Sequence, residues 1–140
     1  MKIFIDQGHN PKNPNAGAEG FGLKEQDLNY EIGIRLGTLL AGNDFFEVKL
    51  SRPTPTTQLG NSNASSLAAR VNAANLWGAD WFLSLHCNAS VDASVSGSEA
   101  YVYSFQSRSV SLAKDLLNGL TESTGLADRG VRANPTLYVL

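Results

Sequence analysis

With 140 residues, 42 % of them apolar and 17 % charged, the chain is long enough for one domain with a full hydrophobic core and lacks the composition of a disordered segment. A net charge of −2 argues against a nucleic-acid binder, which normally presents a basic face. The single cysteine, Cys87, cannot form an internal disulfide, and no apolar run is long enough to span a membrane as a helix.

Residues 2–6 read as a short apolar strand, Ile3-Phe4-Ile5, closed by Asp6. Gln7-Gly8-His9 then opens a polar loop to residue 24, rich in glycine, proline and asparagine. Residues 25–41 read as a helix stopped by Gly42-Asn43. A strand follows at 47–50, then a second loop at 53–63 rich in Thr, Pro, Asn and Gly. A helix at 65–77 is stopped by Gly78, and Trp81-Phe82-Leu83-Ser84-Leu85 reads as a buried strand. A strand at 98–104 precedes a helix at 107–121, on which Val110, Ala113, Leu117 and Leu120 form an apolar stripe. The run Leu137-Tyr138-Val139-Leu140 reads as a last strand. Strands alternating with helices predict an α/β fold: a single open, largely parallel twisted sheet flanked by helices. Met1-Lys2 leads straight into the first strand, so no signal peptide is read. A cytoplasmic protein, a mature domain cut from a secreted precursor and an enzyme released by other means all fit.

The only two histidines sit at the C-terminal ends of two predicted strands, His9 after 2–6 and His86 after 81–85. Open parallel sheets build ligand sites at that edge. On the helix at 25–41, Leu28, Ile32, Leu36 and Leu39 form the expected buried stripe. Glu25 falls on the same inward face, whereas Asp27 and Glu31 point to solvent. A carboxylate there is costly unless compensated, by a divalent cation or by a capping role at the helix mouth. His9, Glu25 and His86 with one open position match the ligand types of a catalytic zinc site, although their spacing matches no compact zinc motif. Each histidine also reads as a hydrogen-bonded structural residue.

Asp6 and Asn88 are candidates for orienting the imidazoles, with strand termination the alternative for Asp6. Arg70, beside Leu67, Val71 and Ala74, reads as a structural salt bridge, and Cys87 as a buried inert thiol. Trp77, Trp81 and Phe82 read as core. The loops 10–24 and 53–63 read as walls of a substrate groove.

Several segments carry a family resemblance: Ile3-Phe4-Ile5-Asp6-Gln7-Gly8-His9, Gly17 to Glu25, Asp27-Leu28-Asn29 and Leu50-Ser51-Arg52. It continues through Leu67 to Asn75, Gly78 to Ala89 with Ser84-Leu85-His86-Cys87-Asn88-Ala89 the most specific part, and Gly97 to Tyr101. In this order they resemble the zinc-dependent N-acetylmuramoyl-L-alanine amidases of the amidase-3 type. The resemblance implies Zn2+ held by His9, Glu25 and His86, and hydrolysis of the amide between the muramic acid lactyl group and L-alanine. It also implies peptidoglycan as the partner and an extracellular or cell-wall location, and says nothing of oligomeric state. The family's catalytic glutamate follows the run at 137–140, so it is expected beyond Leu140, and no catalytic residue is assigned within the chain. Glu19 and Glu99 are the candidates to replace it. With the family's last strand and helix also missing, residues 1–140 read as an amidase-3-like catalytic domain truncated at its C-terminus. A catalytically incomplete peptidoglycan-binding module and a structural domain with incidental histidines are the rival readings.

Overall fold

The computed structural model describes residues 1–92 and 94–140, which form two compact units, 1–89 with Val139 and 90–138 with Leu140. The first unit contains β1 (Lys2–Gln7), the short strands β2 (Glu19–Gly20) and β3 (Leu23–Lys24), α1 (Glu25–Ala41), β4 (Glu47–Leu50), α2 (Asn63–Trp77) and β5 (Trp81–Leu85). The second contains β6 (Ser98–Val102), α3 (Ser109–Thr124) and β7 (Asp128–Ala133). No helix among the described residues is long and apolar enough to cross a membrane.

In the first unit β1 is the middle strand of a parallel sheet ordered β4-β1-β5. Being covered on both faces, it is apolar without alternation, and Phe4 and Ile5 are fully buried. Phe4 stacks on Phe82 of β5 at 5.6 Å and meets Trp77 of α2 at 6.4 Å, so both aromatics pack as core. The register Asp6↔Ser84 and Gln7↔Leu85 ends β1 and β5 at one level and delivers His9 and His86 to the same edge. β2 and β3 pair antiparallel within the loop that the sequence left irregular.

Helix α1 has the predicted bounds but a different buried face. Its buried residues are Glu25, Gln26, Asn29, Gly33 and Gly37, whereas Ile32 and Leu39 of the predicted stripe are exposed. The reason is close approach. A Cβ at Gly33 would collide with Gln7 Cγ, and one at Gly37 would lie 3.1 Å from Leu50 Cδ2 and 3.8 Å from Ile5 Cδ1. Glycines let the helix backbone lie on β1 and β4, so the small-residue row wins over the leucine row. Gly33→Ala should therefore destabilise by ~1–3 kcal/mol through overpacking, although alanine is the better helix former by about 1 kcal/mol. Urea unfolding measures the balance.

Helix α2 starts two residues earlier than predicted because Ser62 and Ser65 form a reciprocal capping box, and it ends at Gly78 in the left-handed conformation. In the second unit β6 and β7 pair parallel around α3, which buries Ala113 and Leu117 while Leu120 stays exposed. The first unit shows the predicted α/β class, a parallel sheet ordered β4-β1-β5 flanked by helices, and the second unit pairs β6 with β7 in parallel. β7 was unread because Asp128-Arg129-Gly130-Val131-Arg132-Ala133 is half charged. The apolar run at 137–140 is turn rather than strand.

Candidate metal centre

Three chain segments converge at the C-terminal ends of β1 and β5. Gly8 continues the ladder past β1, its N–H donating to Leu85 O at 3.0 Å. His9 follows with φ 70°, a left-handed conformation uncommon for a residue with a side chain. Glu25 is the first residue of α1 and is clasped by Ala18 twice. Its N–H donates to Ala18 O at 2.9 Å, and Ala18 N–H donates to its Oε2 at 3.1 Å. His86 is the first residue after β5.

One carboxylate oxygen organises the cluster. Glu25 Oε1 lies 3.1 Å from His9 Nε2 and 3.1 Å from His86 Nδ1, and it accepts the Cys87 N–H at 3.0 Å. The imidazoles meet edge to face with centroids 4.7 Å apart. One ligand atom from each of His9, Glu25 and His86 fits within 4.8 Å of the others. Exposure is graded, with side chains 7 % exposed at Glu25, 20 % at His9 and 44 % at His86, so the cluster opens to solvent on the His86 side. The capping alternative for Glu25 does not hold: its carboxylate is directed at Ala18, Cys87 and the imidazoles, and Lys24 caps the helix without a side-chain bond.

The electrostatics suit a cation. Burial alone would raise the Glu25 pKa, but the Ala18 and Cys87 N–H groups and the two imidazoles outweigh it and hold the carboxyl below the usual range. Burial, then the neighbouring His9, pushes His86 down despite Glu25, which favours the neutral ring that metal ligation needs. His9 Nδ1 is buried without a hydrogen-bond partner. An ionised carboxylate, a neutral imidazole and an orphaned ring nitrogen together fit a divalent ion better than a closed hydrogen-bond network.

The other predicted residues fall in varied places. Asp6 touches neither imidazole; it binds Arg70 Nη1 at 2.6 Å and accepts Ser84 Oγ–H at 2.8 Å. Arg70 forms the expected salt bridge and also donates to His9 O at 2.7 Å. Asn88 is exposed, two residues beyond His86. The Cys87 thiol lies 3.4 Å from Asn29 Oδ1, and burial and then Glu25 push its pKa up, which suits an inert thiol. Its backbone N–H is the part that serves the site. Glu19 is exposed and engaged by Lys24 at 3.6 Å and Gln26 at 3.4 Å. Glu99, in the second unit, is held by Arg132 at 3.1 Å and by Tyr101. The buried Asn10 side chain ties the two loops together, bonding Pro14 O at 2.9 Å and both Leu59 O and N.

Two glycines escaped the sequence reading. A Cβ at Gly8 would lie 2.5 Å from His86 Cε1, and one at Gly17 would lie 2.8 Å from Glu25 Cβ and 2.9 Å from His9 Cδ2. Gly17→Ala should push the ligands apart and weaken metal binding. Gly20→Ala, whose Cβ would meet nothing within 4 Å, should leave it unchanged. Calorimetric zinc titration of the two variants tests the contrast.

Residues 3–140 match the Amidase_3 family model, described as N-acetylmuramoyl-L-alanine amidase. The chain is 42 % identical over 103 residues to the sporulation-specific N-acetylmuramoyl-L-alanine amidase of Bacillus subtilis strain 168, covering 74 % of this chain and 36 % of that protein. It is 37 % identical over 140 residues to N-acetylmuramoyl-L-alanine amidase LytC of the same organism, covering 99 % of this chain and 26 % of that protein. The chain thus spans between a quarter and two fifths of the length of these curated relatives. Among solved structures, the N-acetylmuramoyl-L-alanine amidase of Clostridium difficile 630 aligns with a TM-score of 0.82 at 27 % identity, covering 99 % of this chain and 72 % of that one.

Proposed function

The chain belongs to the Amidase_3 family of N-acetylmuramoyl-L-alanine amidases, and from that premise we propose that it is the metal-binding part of a zinc-dependent peptidoglycan amidase acting outside the cell or in the wall. The bond cleaved is the amide between N-acetylmuramic acid and L-alanine. The metal ligands are His9, Glu25 and His86. The observation that carries this reading is the sharing of Glu25 Oε1 by both imidazoles at 3.1 Å.

When bound there, zinc supplies Lewis acidity that polarises the scissile carbonyl and lowers the pKa of water to roughly 7. The chain's own residues prepare the place. Glu25 brings one negative charge, and the Cys87 and Ala18 N–H groups fix both its oxygens so that it cannot swing away. His86, whose pKa is pushed down, favours the neutral ring whose lone pair a metal needs. The loops joined through Asn10 border the ligand edge and give a substrate a firm wall.

A group must still carry a proton to the leaving amine. Glu19 and Glu99 are poor choices, since both are engaged by cations. No group among the described residues is assigned that role. The same engagement of Glu19 and Glu99 favours a second reading, in which this chain by itself binds peptidoglycan without cutting it.

Purified chain should carry one zinc per molecule. Digested cell walls analysed by mass spectrometry should release stem peptides with a free N-terminal alanine, a product lost with chelator and restored by zinc. Zinc without peptide release would favour the binding module, and absence of zinc would remove the zinc-dependent amidase reading.

A further inference from the structure

The segments Leu50-Ser51-Arg52 and Ala68-Ala69-Arg70 place two guanidinium groups in the first unit that no step above uses. Both are fully buried, and they converge on one atom. Arg70 Nη2 donates to the His9 carbonyl oxygen at 2.7 Å and Arg52 Nη1 to the same oxygen at 3.3 Å. Arg52 Nη1 also donates to Gln26 O at 2.9 Å, and Arg52 Nη2 to Pro55 O at 3.2 Å. One nitrogen thus bridges the backbone of His9 and the backbone of the residue after Glu25. Arg70 Nη1 donates to Gln7 O at 2.8 Å and to Asp6 Oδ1 at 2.6 Å.

We propose that Arg52 and Arg70 are positioning residues: they clamp the His9 carbonyl, hold His9 in its left-handed conformation and set the spacing between His9 and Glu25 that a metal ion needs. This inference rests on the metal reading above for its purpose, but not for its geometry. A left-handed histidine costs conformational energy and persists only where surrounding bonds over-determine it. The His9 carbonyl is where those bonds are made. Bringing two cations together in a buried place is also unfavourable, and burial and then Arg70 push the Arg52 pKa down. The Asp6 carboxylate is hydrogen-bonded to Arg70, whereas Arg52 gives its Nη donors to backbone carbonyls. A salt bridge needed only for stability would require one arginine. The second adds the His9–Gln26 bridge, and the fork shape explains why the residue is arginine: an ammonium cannot reach several carbonyls in different directions.

The test separates geometry from charge with Arg52→Lys and Arg70→Lys, and from stability with Phe82→Leu, a core variant away from His9. Zinc affinity is measured by chelator competition, and coordination by the visible spectrum of the cobalt-loaded protein. Loss of a partner behind a metal ligand weakens affinity ~10–100-fold, and each lysine variant should show that loss with an altered cobalt spectrum. Phe82→Leu should lower Tm but keep zinc affinity within about 2-fold, as expected for a site it does not touch. Metal-free crystal structures give the second arm, in which His9 should leave the positive-φ region in the lysine variants. Lysine variants with wild-type affinity and spectrum, or with His9 still near φ 70°, overturn the proposal. If the wild-type chain binds no metal, the metal reading fails alone, and the His9 conformation still decides the clamp. If Arg70→Lys does not fold, Arg52→Lys carries both arms.

Discussion

Glu25→Gln is expected to abolish stoichiometric zinc binding, a larger loss than the ~10–100-fold that removal of an outer partner costs. The substitution keeps the side chain's shape and removes its charge. It also sets an amide donor against donors: one oxygen can still accept from Cys87 N–H or from Ala18 N–H, but the amide nitrogen cannot accept from the other. The metal-free variant should therefore lose ~1–3 kcal/mol, the cost of a buried N–H left unmatched. The pH dependence has a definite sign. The Glu25 carboxyl is held below its usual value in the fold, so its contribution is complete above about pH 4.3, the unfolded value, and is lost as pH falls through the lowered folded value. The stability gap between wild type and Glu25→Gln, measured without metal, should narrow only below that pH. A variant that still holds one zinc per chain after dialysis would remove Glu25 from the ligand set.

The parts of this site that could be read in advance are those written in side chains at strand ends. His9 and His86 follow apolar runs whose ends are punctuated by polar residues, and their pairing register brings them together. The helix bounds 25–41 were legible from Glu25 and the stop at Gly42-Asn43, and the strand 81–85 from its short apolar run. Glu25 was placed on the inward face for a reason that does not hold. Hydrophobic phase pointed to Leu28 and Ile32, whereas close approach to β1 and β4 selected Asn29, Gly33 and Gly37. Both rows happen to include Glu25. The groups that fix Glu25 were illegible because backbone N–H groups have no letter: Cys87 reads as a thiol, and Ala18 as nothing. Arg52 was visible, but its partners are carbonyls of residues 9, 26 and 55, which only the folded chain assembles.

Asp6→Ala should be among the most destabilising single changes in the chain. Asp6 and Arg70 are each 1 % exposed and 2.6 Å apart. Removing the carboxylate leaves a buried guanidinium without its counter-charge, at a cost of ~3–5 kcal/mol. Ser84 Oγ loses its acceptor as well. At about 2–4 °C per kcal/mol for a chain of this size, Tm should fall by roughly 10 °C. The double variant Asp6→Leu with Arg70→Met separates the ion pair from the clamp. Replacing a buried pair by apolar residues is often neutral or stabilising by ~1–4 kcal/mol. Here the arginine also serves the carbonyls of Gln7 and His9, and each buried acceptor left unmatched costs ~1–3 kcal/mol. The double variant should accordingly recover only part of the Asp6→Ala loss. Zinc affinity should order the variants differently from stability. Asp6→Ala leaves Arg70 free to keep its bond to His9 O and should lose less affinity than the double variant, even where it is the less stable protein. If affinity instead tracks Tm across both, Arg70 acts on the site only by keeping the unit folded.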